Sequence, residues 1–324
     1  MARGKGGSLR AKKQRVRAMH EELLDLSVLN AVLFEELSAS SFAYDRMITT
    51  RFDFTDPKRD RCQVEKHWDL RTEGDFFLVR MLGQSIYFVV GDATGHNAYA
   101  GGLKVFIAAA LKGIFERLEL GRREPTCARI INELRNYFDH VAAKSLQVSN
   151  QTRQLQDGAD LVVLRVDLER RKVSFASAGI PIIALGSPEP SIYGRFDSTK
   201  GIRFPDPAGA SLGSTPVVGS IDARKFGFLA IVTDGFRNLR RLPVGSRRTN
   251  RRKMDGFGDE ATTRALVRGV RRAAIRPGKS TDQIAASLIN AAREFRKNHK
   301  LPETADDDRL VVVIDIAKAL ATSG

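Results

Sequence analysis

The amino-acid sequence predicts an α+β fold in which antiparallel β-sheets are flanked by α-helices. Two observations lead to this prediction. The strand-like apolar runs occur as neighbouring pairs joined by short turns, which is the arrangement of β-hairpins. The helix-like segments are grouped between these pairs, whereas a doubly wound parallel sheet would place one helix after every strand. No repeat of solenoid period is present.

The strands are predicted from short apolar runs bounded by turn residues. One hairpin turns at Gly83-Gln84-Ser85 and a second turns at Glu169-Arg170-Arg171. Between residues 186 and 219 the chain is rich in Pro, Gly and Ser, which predicts a long surface loop or an irregular excursion. The predicted strands are 76–82, 86–90, 161–168, 173–178, 226–232 and 310–316.

The helices are predicted from apolar residues that recur at steps of three and four. The most N-terminal helix is amphipathic and must pack on the domain or on a second copy of the chain. It follows a Gly-, Ser- and Lys/Arg-rich stretch, residues 1–17, that is typical of a disordered arm. We therefore predict an arm and helix in residues 1–48 and a folded domain in residues 49–320. The predicted helices are 16–37, 103–118, 128–143, 261–274 and 282–295.

The composition is that of a soluble globular protein, with 324 residues, 42% hydrophobic and 28% charged. The two cysteines, Cys62 and Cys127, form no CxxC or Cys/His cluster, which argues against a disulfide framework, a zinc site and a cysteine nucleophile. No run approaches the roughly 18–20 apolar residues that cross a bilayer. We therefore expect a cytoplasmic protein without a membrane span.

The formal net charge of +15 comes from two local patches. Residues 1–20 hold seven Lys/Arg and residues 237–253 hold eight, with no acidic residue in either, so together they equal the whole excess. The first patch lacks the interleaved aromatic residues and patterns of nucleic-acid-binding proteins, so nucleic acid is not the favoured partner. The second patch, through Arg237, Arg240 and Arg241, could dock an acidic or phosphorylated partner. The alternative for this patch is a solvated basic loop.

Acidic residues occur where four apolar strands meet turns: Asp75, Asp92, Asp234 and the run Asp306-Asp307-Asp308. If the strands of a sandwich bring these carboxylates to one edge, they repel one another unless a cation lies between them. Mg²⁺ and Mn²⁺ prefer oxygen ligands, and a pair of such ions suits the hydrolysis of phosphoesters. For any one of these residues, a simple turn or a solvated loop is the alternative.

Six short sequence blocks occur in a fixed order across about residues 70–318. They are Gly74-Asp75, Gly91-Asp92-Ala93-Thr94-Gly95-His96, Ala176-Ser177-Ala178-Gly179-Ile180-Pro181, Thr233-Asp234-Gly235, Phe257-Gly258-Asp259-Glu260 and the acidic run that leads into Leu310-Val311-Val312-Val313. In this order the blocks resemble the metal-dependent protein phosphatase superfamily (PPM, or phosphatase 2C type), and within it the bacterial stage II sporulation protein E-like branch.

The resemblance implies an αββα sandwich of two antiparallel sheets flanked by helices, with a PPM-type phosphatase domain over residues 49–320. It also implies a centre of two Mg²⁺ or Mn²⁺ ions at one edge, where a metal-activated water attacks phosphorus directly. By motif position, Asp92 bridges both ions, the carbonyl of Ala93 binds one of them, and Asp75, Asp234 and one of Asp306 or Asp307 complete the shell.

The sequence departs from the family pattern at three places. Leu78 and Val79 occupy the region of a second acidic residue, Asn97 stands for a glycine, and Arg309 stands where the last block has threonine. His96 could act as a general acid or hold a phosphate oxygen. The alternative for His96 is a helix-start residue that faces solvent.

Two functions follow as hypotheses. The first is a metal-dependent protein serine/threonine phosphatase, whose usual substrate in this branch is a phosphorylated anti-sigma-factor antagonist. The second is a catalytically degraded phosphatase fold that holds an acidic partner or nucleic acid through its basic patches. In either case the N-terminal amphipathic helix could form a homodimer, with packing on its own domain as the alternative.

Overall fold

The α+β fold predicted from the sequence is confirmed by a computed structural model. The elements in chain order are β1 (Ile48–Asp53), β2 (Asp75–Leu82), β3 (Ser85–Ala93), α1 (Ala98–Leu120), α2 (Cys127–Leu146), β4 (Gly158–Asp167), β5 (Lys172–Ala178), β6 (Ile182–Leu185), β7 (Ser191–Tyr193), β8 (Ile202–Arg203), β9 (Val217–Ile221), β10 (Phe228–Val232), α3 (Thr281–Asn298), β11 (Arg309–Asp315) and α4 (Ile316–Ala321). The structure describes residues 48–53, 74–93, 98–121, 124–146, 158–186, 191–194, 201–203, 215–233, 235, 280–298 and 309–321.

The strands form two antiparallel sheets. Sheet I has the order β2-β3-β4-β5-β9, with β8 paired to β4, and contains both predicted hairpins. Sheet II has the order β1-β11-β10-β6-β7, so its neighbouring strands are mostly distant in sequence. Hairpins need only a short turn, whereas the pairing in sheet II depends on the fold of the whole chain.

Three apolar layers hold the two sheets and the helices together. On β3, Tyr87 and Val89 pack against α1 and α2, whereas Phe88 and Val90 face sheet II, as the two-residue period of a strand requires. The third layer packs α3 on the outer face of sheet II, with Leu288 among its buried residues. The layers therefore stack as helices, sheet, sheet and helix, which is the predicted αββα sandwich.

Some predicted element bounds differ from the structure. The strand predicted at 226–232 begins at Phe228, because residues 223–225 form a short 3-10 turn whose first N–H groups are capped by Asp222. The strand predicted at 310–316 ends at Asp315, whose carboxylate accepts a hydrogen bond from the Lys318 N–H (2.9 Å) and so starts α4 at Ile316. The excursion at 186–219 is more regular than expected, because it contains β7, β8 and most of β9.

Several predictions lie outside the described residues. They include the arm and helix of residues 1–47, the helix at 261–274 and the basic segment 237–253. Within the described part of the chain, no helix is long and apolar enough to cross a membrane.

Glu124 fastens the connection between α1 and α2 to the hairpin turn of sheet I. Its carboxylate accepts hydrogen bonds from the Gln84 N–H and the Ser85 hydroxyl, each at 3.0 Å, and from the Arg165 guanidinium. Arg165 also donates to the Ser85 hydroxyl (2.9 Å) and to the Asp167 carboxylate (3.1 Å). These charge-assisted bonds fix the end of sheet I that lies away from Asp92.

Glu124→Ala should lower the free energy of unfolding by about 2–3 kcal/mol, because it leaves the guanidinium and two donors without this acceptor. Urea denaturation followed by circular dichroism measures this loss. Glu133→Ala is the matched control: both glutamate side chains are 33% exposed, but Glu133 pairs with the more exposed Arg117 and Arg129. The control should cost roughly 0–1 kcal/mol. Equal losses in the two variants would contradict the role of Glu124.

Candidate metal centre

Three aspartates form a row across sheet I. Asp75 on β2 lies directly opposite Asp92 on β3, and Asp92 lies directly opposite Asp160 on β4. Residues opposite one another on antiparallel strands share a face of the sheet, with Cβ atoms about 4.5–5.5 Å apart. The register therefore places the three carboxylates side by side, and this aspartate row includes one residue, Asp160, that the sequence analysis did not identify.

The aspartate row faces the space between the two sheets. Along each strand, the residue two positions away on the same face belongs to the intersheet core: Phe77, Val90 and Val162. Asp75 and Asp160 are only 3% and 4% exposed, and Asp92 is half-buried. The sequence placed Asp92 after its strand, but β3 continues to Ala93, so Asp92 is held rigidly by pairing on both sides.

A hydrogen bond from sheet II reaches this row. The hydroxyl of Thr233, the residue after β10, donates to Oδ2 of Asp75 at 2.9 Å. The same hydroxyl accepts the backbone N–H of Leu310 (2.9 Å), and the Thr233 N–H donates to the Leu310 carbonyl (3.1 Å). Thr233 is fully buried, so this contact joins β2, β10 and β11 in the interior. The end of β10 therefore lies beside the aspartate row.

Gly74 allows two oxygen atoms to lie close to its backbone. A Cβ at this position would lie 2.3 Å from the carbonyl oxygen of Ala93 and 2.4 Å from Oδ1 of Asp92, both too close for any side chain. The strand pairing is continued there by the Ala93 N–H, which donates to the Gly74 carbonyl at 3.0 Å. Hard divalent cations bind oxygen ligands at about 2.0–2.6 Å. The donor atoms present therefore fit Mg²⁺ or Mn²⁺.

The described residues supply only part of a ligand shell. Among them, no three His, Cys, Asp or Glu side chains are close enough to enclose an ion. The structure brings together three of the predicted site residues, Asp75, Asp92 and Ala93. The other predicted site residues lie outside the described residues: His96, Asp234, Asp306, Asp307, Arg237, Arg240 and Arg241.

Arg309, one of the departures from the family pattern, has a definite structural position. It is fully buried, and its Nε donates to the Gly235 carbonyl at 3.1 Å. It therefore ties the turn after Thr233 to the start of β11. Leu78 and Val79, at the place of the missing acidic residue, are buried in the helix-side and intersheet cores respectively.

Cys127, at the start of α2, is a buried free thiol. Burial raises the pKa of its thiol to about 11, and the thiol lies 3.5 Å from the Ser174 carbonyl, to which it donates. A thiol with so high a pKa holds almost no thiolate at neutral pH.

The family model for stage II sporulation protein E (SpoIIE) matches residues 83–316, which is well over half of the chain. The chain belongs to the SpoIIE family. No curated protein sequence matches it.

Solved structures of PP2C domains are similar to this SpoIIE-family chain. The SiaA-PP2C domain of Pseudomonas aeruginosa has a TM-score of 0.58 at 16% identity, over 93% of this chain and 98% of that one. The RsbU and RsbW domains of a Mycobacterium tuberculosis protein have a TM-score of 0.49 at 16% identity, over 82% of this chain and 59% of that one. The PP2C phosphatase domain of SpoIIE from Bacillus subtilis, with a fragment of its regulatory domain, has a TM-score of 0.45 at 17% identity, over 74% of this chain and 58% of that one. The SiaA match confirms the PP2C fold.

Three polar residues in or near the aspartate row were not identified from the sequence. Asp160 had a signal, because Gly158 and Ala159 precede it just as Gly74 precedes Asp75, before an apolar run. Thr233 was noted only as the neighbour of Asp234. Lys104 is buried, and its Nζ donates to the backbone carbonyl of Asp75 (3.3 Å). In the sequence, its signal was a charged residue within an apolar helix.

Thr233→Val should lower the free energy of unfolding by about 1–3 kcal/mol, because it removes the hydroxyl that joins Asp75 to Leu310 and leaves both groups buried. Thr233→Ser, which keeps the hydroxyl, should recover most of this loss. Urea denaturation measures both changes. If the Val variant were as stable as the wild type, the link between the two sheets would be energetically unimportant.

Proposed function

We propose that this chain is a metal-dependent protein serine/threonine phosphatase that uses Mg²⁺ or Mn²⁺. The observation that carries the proposal is the convergence of both sheets at the aspartate row, where Thr233 from sheet II donates to Asp75 beside Asp92. The oxygens of Asp92 and Ala93, which lie together beside Gly74, support an ion bound near them. Membership of the SpoIIE family and the PP2C fold support the phosphatase assignment.

The electrostatics of the aspartate row also support a cation. Adjacent carboxylates, two of them almost completely buried, repel one another and have lost most of their hydration. An ion between the sheets would offset both costs. When bound, the ions supply a Lewis acid and lower the pKa of a water molecule toward neutrality.

We assign the ligand shell to residues of four strand ends. Asp92, in the middle of the row, would hold the metal ions, and the hydrogen bond from Thr233 orients Asp75. His96, three residues beyond Ala93, either donates a proton to the departing serine oxygen or holds a phosphate oxygen. The proposed ligands are Asp75, Asp92, the carbonyl of Ala93, Asp234 and one of Asp306 or Asp307.

The proposed substrate is a phosphorylated protein of bacterial signalling, such as an anti-sigma-factor antagonist, in the cytoplasm. The basic segment with Arg237, Arg240 and Arg241 begins two residues after Gly235. The Gly235 carbonyl accepts a hydrogen bond from Arg309 at the end of sheet II. A basic segment that starts there suits an acidic or phosphorylated partner.

Asp92→Asn and Asp234→Asn should each reduce kcat for release of phosphate from a phosphoserine peptide by at least about 100-fold, because each removes a proposed metal ligand. Phosphate release with Mn²⁺ measures this, and chelator should abolish the wild-type activity. Asp167→Asn, at the opposite end of sheet I, is the control that should keep its kcat.

Three outcomes would contradict the phosphatase assignment: activity that persists in excess chelator, activity that survives both substitutions, or wild-type protein with no Mn²⁺-dependent activity. Ligands that bind the folded state raise its stability. Wild-type protein whose Tm does not rise with Mn²⁺ would therefore favour the alternative of a degraded binding module.

Substituting Arg237, Arg240 and Arg241 together by Gln should raise KM for a phosphopeptide with acidic flanks about 10-fold, since each exposed pair contributes up to roughly 1 kcal/mol. The kcat should not change, because none of the three is a proposed metal ligand. A phosphopeptide with uncharged flanks is the control and should show no change in KM. The same KM for the acidic peptide in both proteins would exclude this docking role.

A further inference from the structure

We propose that Asp160 is a positioning residue of the metal centre, which lies beside Asp92 and raises the affinity of the site for its divalent cation. This inference rests on the proposed function. It differs from the assignment by motif position, because Asp160 lies in none of the six sequence blocks and on a strand, β4, that contributes no other proposed ligand.

The position of Asp160 is fixed by the sheet. It lies directly opposite Asp92, on the side away from Asp75, so Asp92 has a carboxylate on each flank. β4 pairs with β3 at Asp160 itself, and the neighbouring Ala159 pairs with Ile202 of β8, so strand pairing fixes the backbone at Asp160. A residue held in this way contributes a preorganised charge.

The turn after β5 is shaped around the Asp160 side chain. Gly179 has a φ of +101°, and a Cβ on it would lie 2.8 Å from Cγ and 3.0 Å from Oδ1 of Asp160. Gly179 also forms an isolated bridge with Leu161, and the Ser177 hydroxyl holds the turn by donating to the Ile180 carbonyl at 2.6 Å. The glycine of the third sequence block therefore packs directly against this carboxylate.

Burial and a neighbouring acid both act against a negative charge at this position. Asp160 is 4% exposed and stands next to another acid, so without a cation both desolvation and like-charge repulsion oppose its charge. With a divalent cation beside Asp92, the same charge becomes attractive. Mg²⁺ and Mn²⁺ retain several waters in such sites, and a carboxylate next to a ligand can accept hydrogen bonds from them.

Removal of the Asp160 charge should therefore stabilise the metal-free protein and weaken metal binding. In chelator, Asp160→Asn should leave Tm unchanged or raise it by about 2–4 °C, because a like charge is removed. The Kd for Mn²⁺ should rise about 10-fold, as when groups that support metal ligands are substituted. Differential scanning calorimetry of the metal-free full chain and isothermal titration with MnCl₂ measure the two effects.

Asp167→Asn is the matched control. Asp167 is on the same strand and also buried, but it lies seven residues away, about 23 Å along the strand, and pairs with Arg165. It should lower Tm in chelator and leave the Kd for Mn²⁺ unchanged. Asp160→Ser, a smaller neutral variant, repeats the test if the Asn variant does not fold.

Each result decides the proposal. A Kd for Mn²⁺ in both Asp160 variants within about twofold of wild type overturns it, as does a loss of folding or a marked fall in metal-free Tm in both, which would indicate a purely structural residue. If wild-type protein binds Mn²⁺ and the substitutions do not weaken that binding, only the role of Asp160 is refuted. Wild-type protein that does not bind Mn²⁺ refutes the proposed function itself.

Discussion

The antiparallel register of β2, β3 and β4 is the constraint on which the candidate site depends. Because side chains alternate along a strand, a slip of one residue between β3 and either neighbour would turn one aspartate toward the helices. The register is fixed by burial on both faces: the same strands carry the helix-side core and the intersheet core. The packing that stabilises the sandwich therefore also sets the positions of Asp75, Asp92 and Asp160.

Sheet I has two polar ends with different chemistry. At one end, Arg165 lies among Glu124, Ser85 and Asp167, so opposite charges satisfy one another and fasten a helix connection. At the other end, aspartates lie side by side and face sheet II, where a hydroxyl from Thr233 reaches the first of them. The opposite charges around Arg165 stabilise the fold without a ligand. The adjacent aspartates are stabilised most when a cation binds beside them. The paired charges and the candidate metal centre thus lie at opposite ends of the same sheet.

Much of the fold could be predicted because its signals are local. Both hairpins, α1, α2 and α3 follow from apolar periodicity within short windows, and the structure has them with small changes at their ends. The strands in the excursion at 186–219 were missed, since β7 has only three residues and β9 is an edge strand that pairs with the distant β5. The end of β11 was misplaced by one residue because the cap at Asp315 interrupts a continuous apolar run.

The sequence by itself determined the chemistry of the site: acidic residues at strand ends, small residues beside them and an order of blocks that matches the SpoIIE family. Only the tertiary structure decided which groups meet. The bond between Thr233 and Asp75 joins residues 158 positions apart, and Asp160 enters the row through strand pairing. Such contacts depend on register and on the packing of two sheets, and neither is encoded in a short window of sequence.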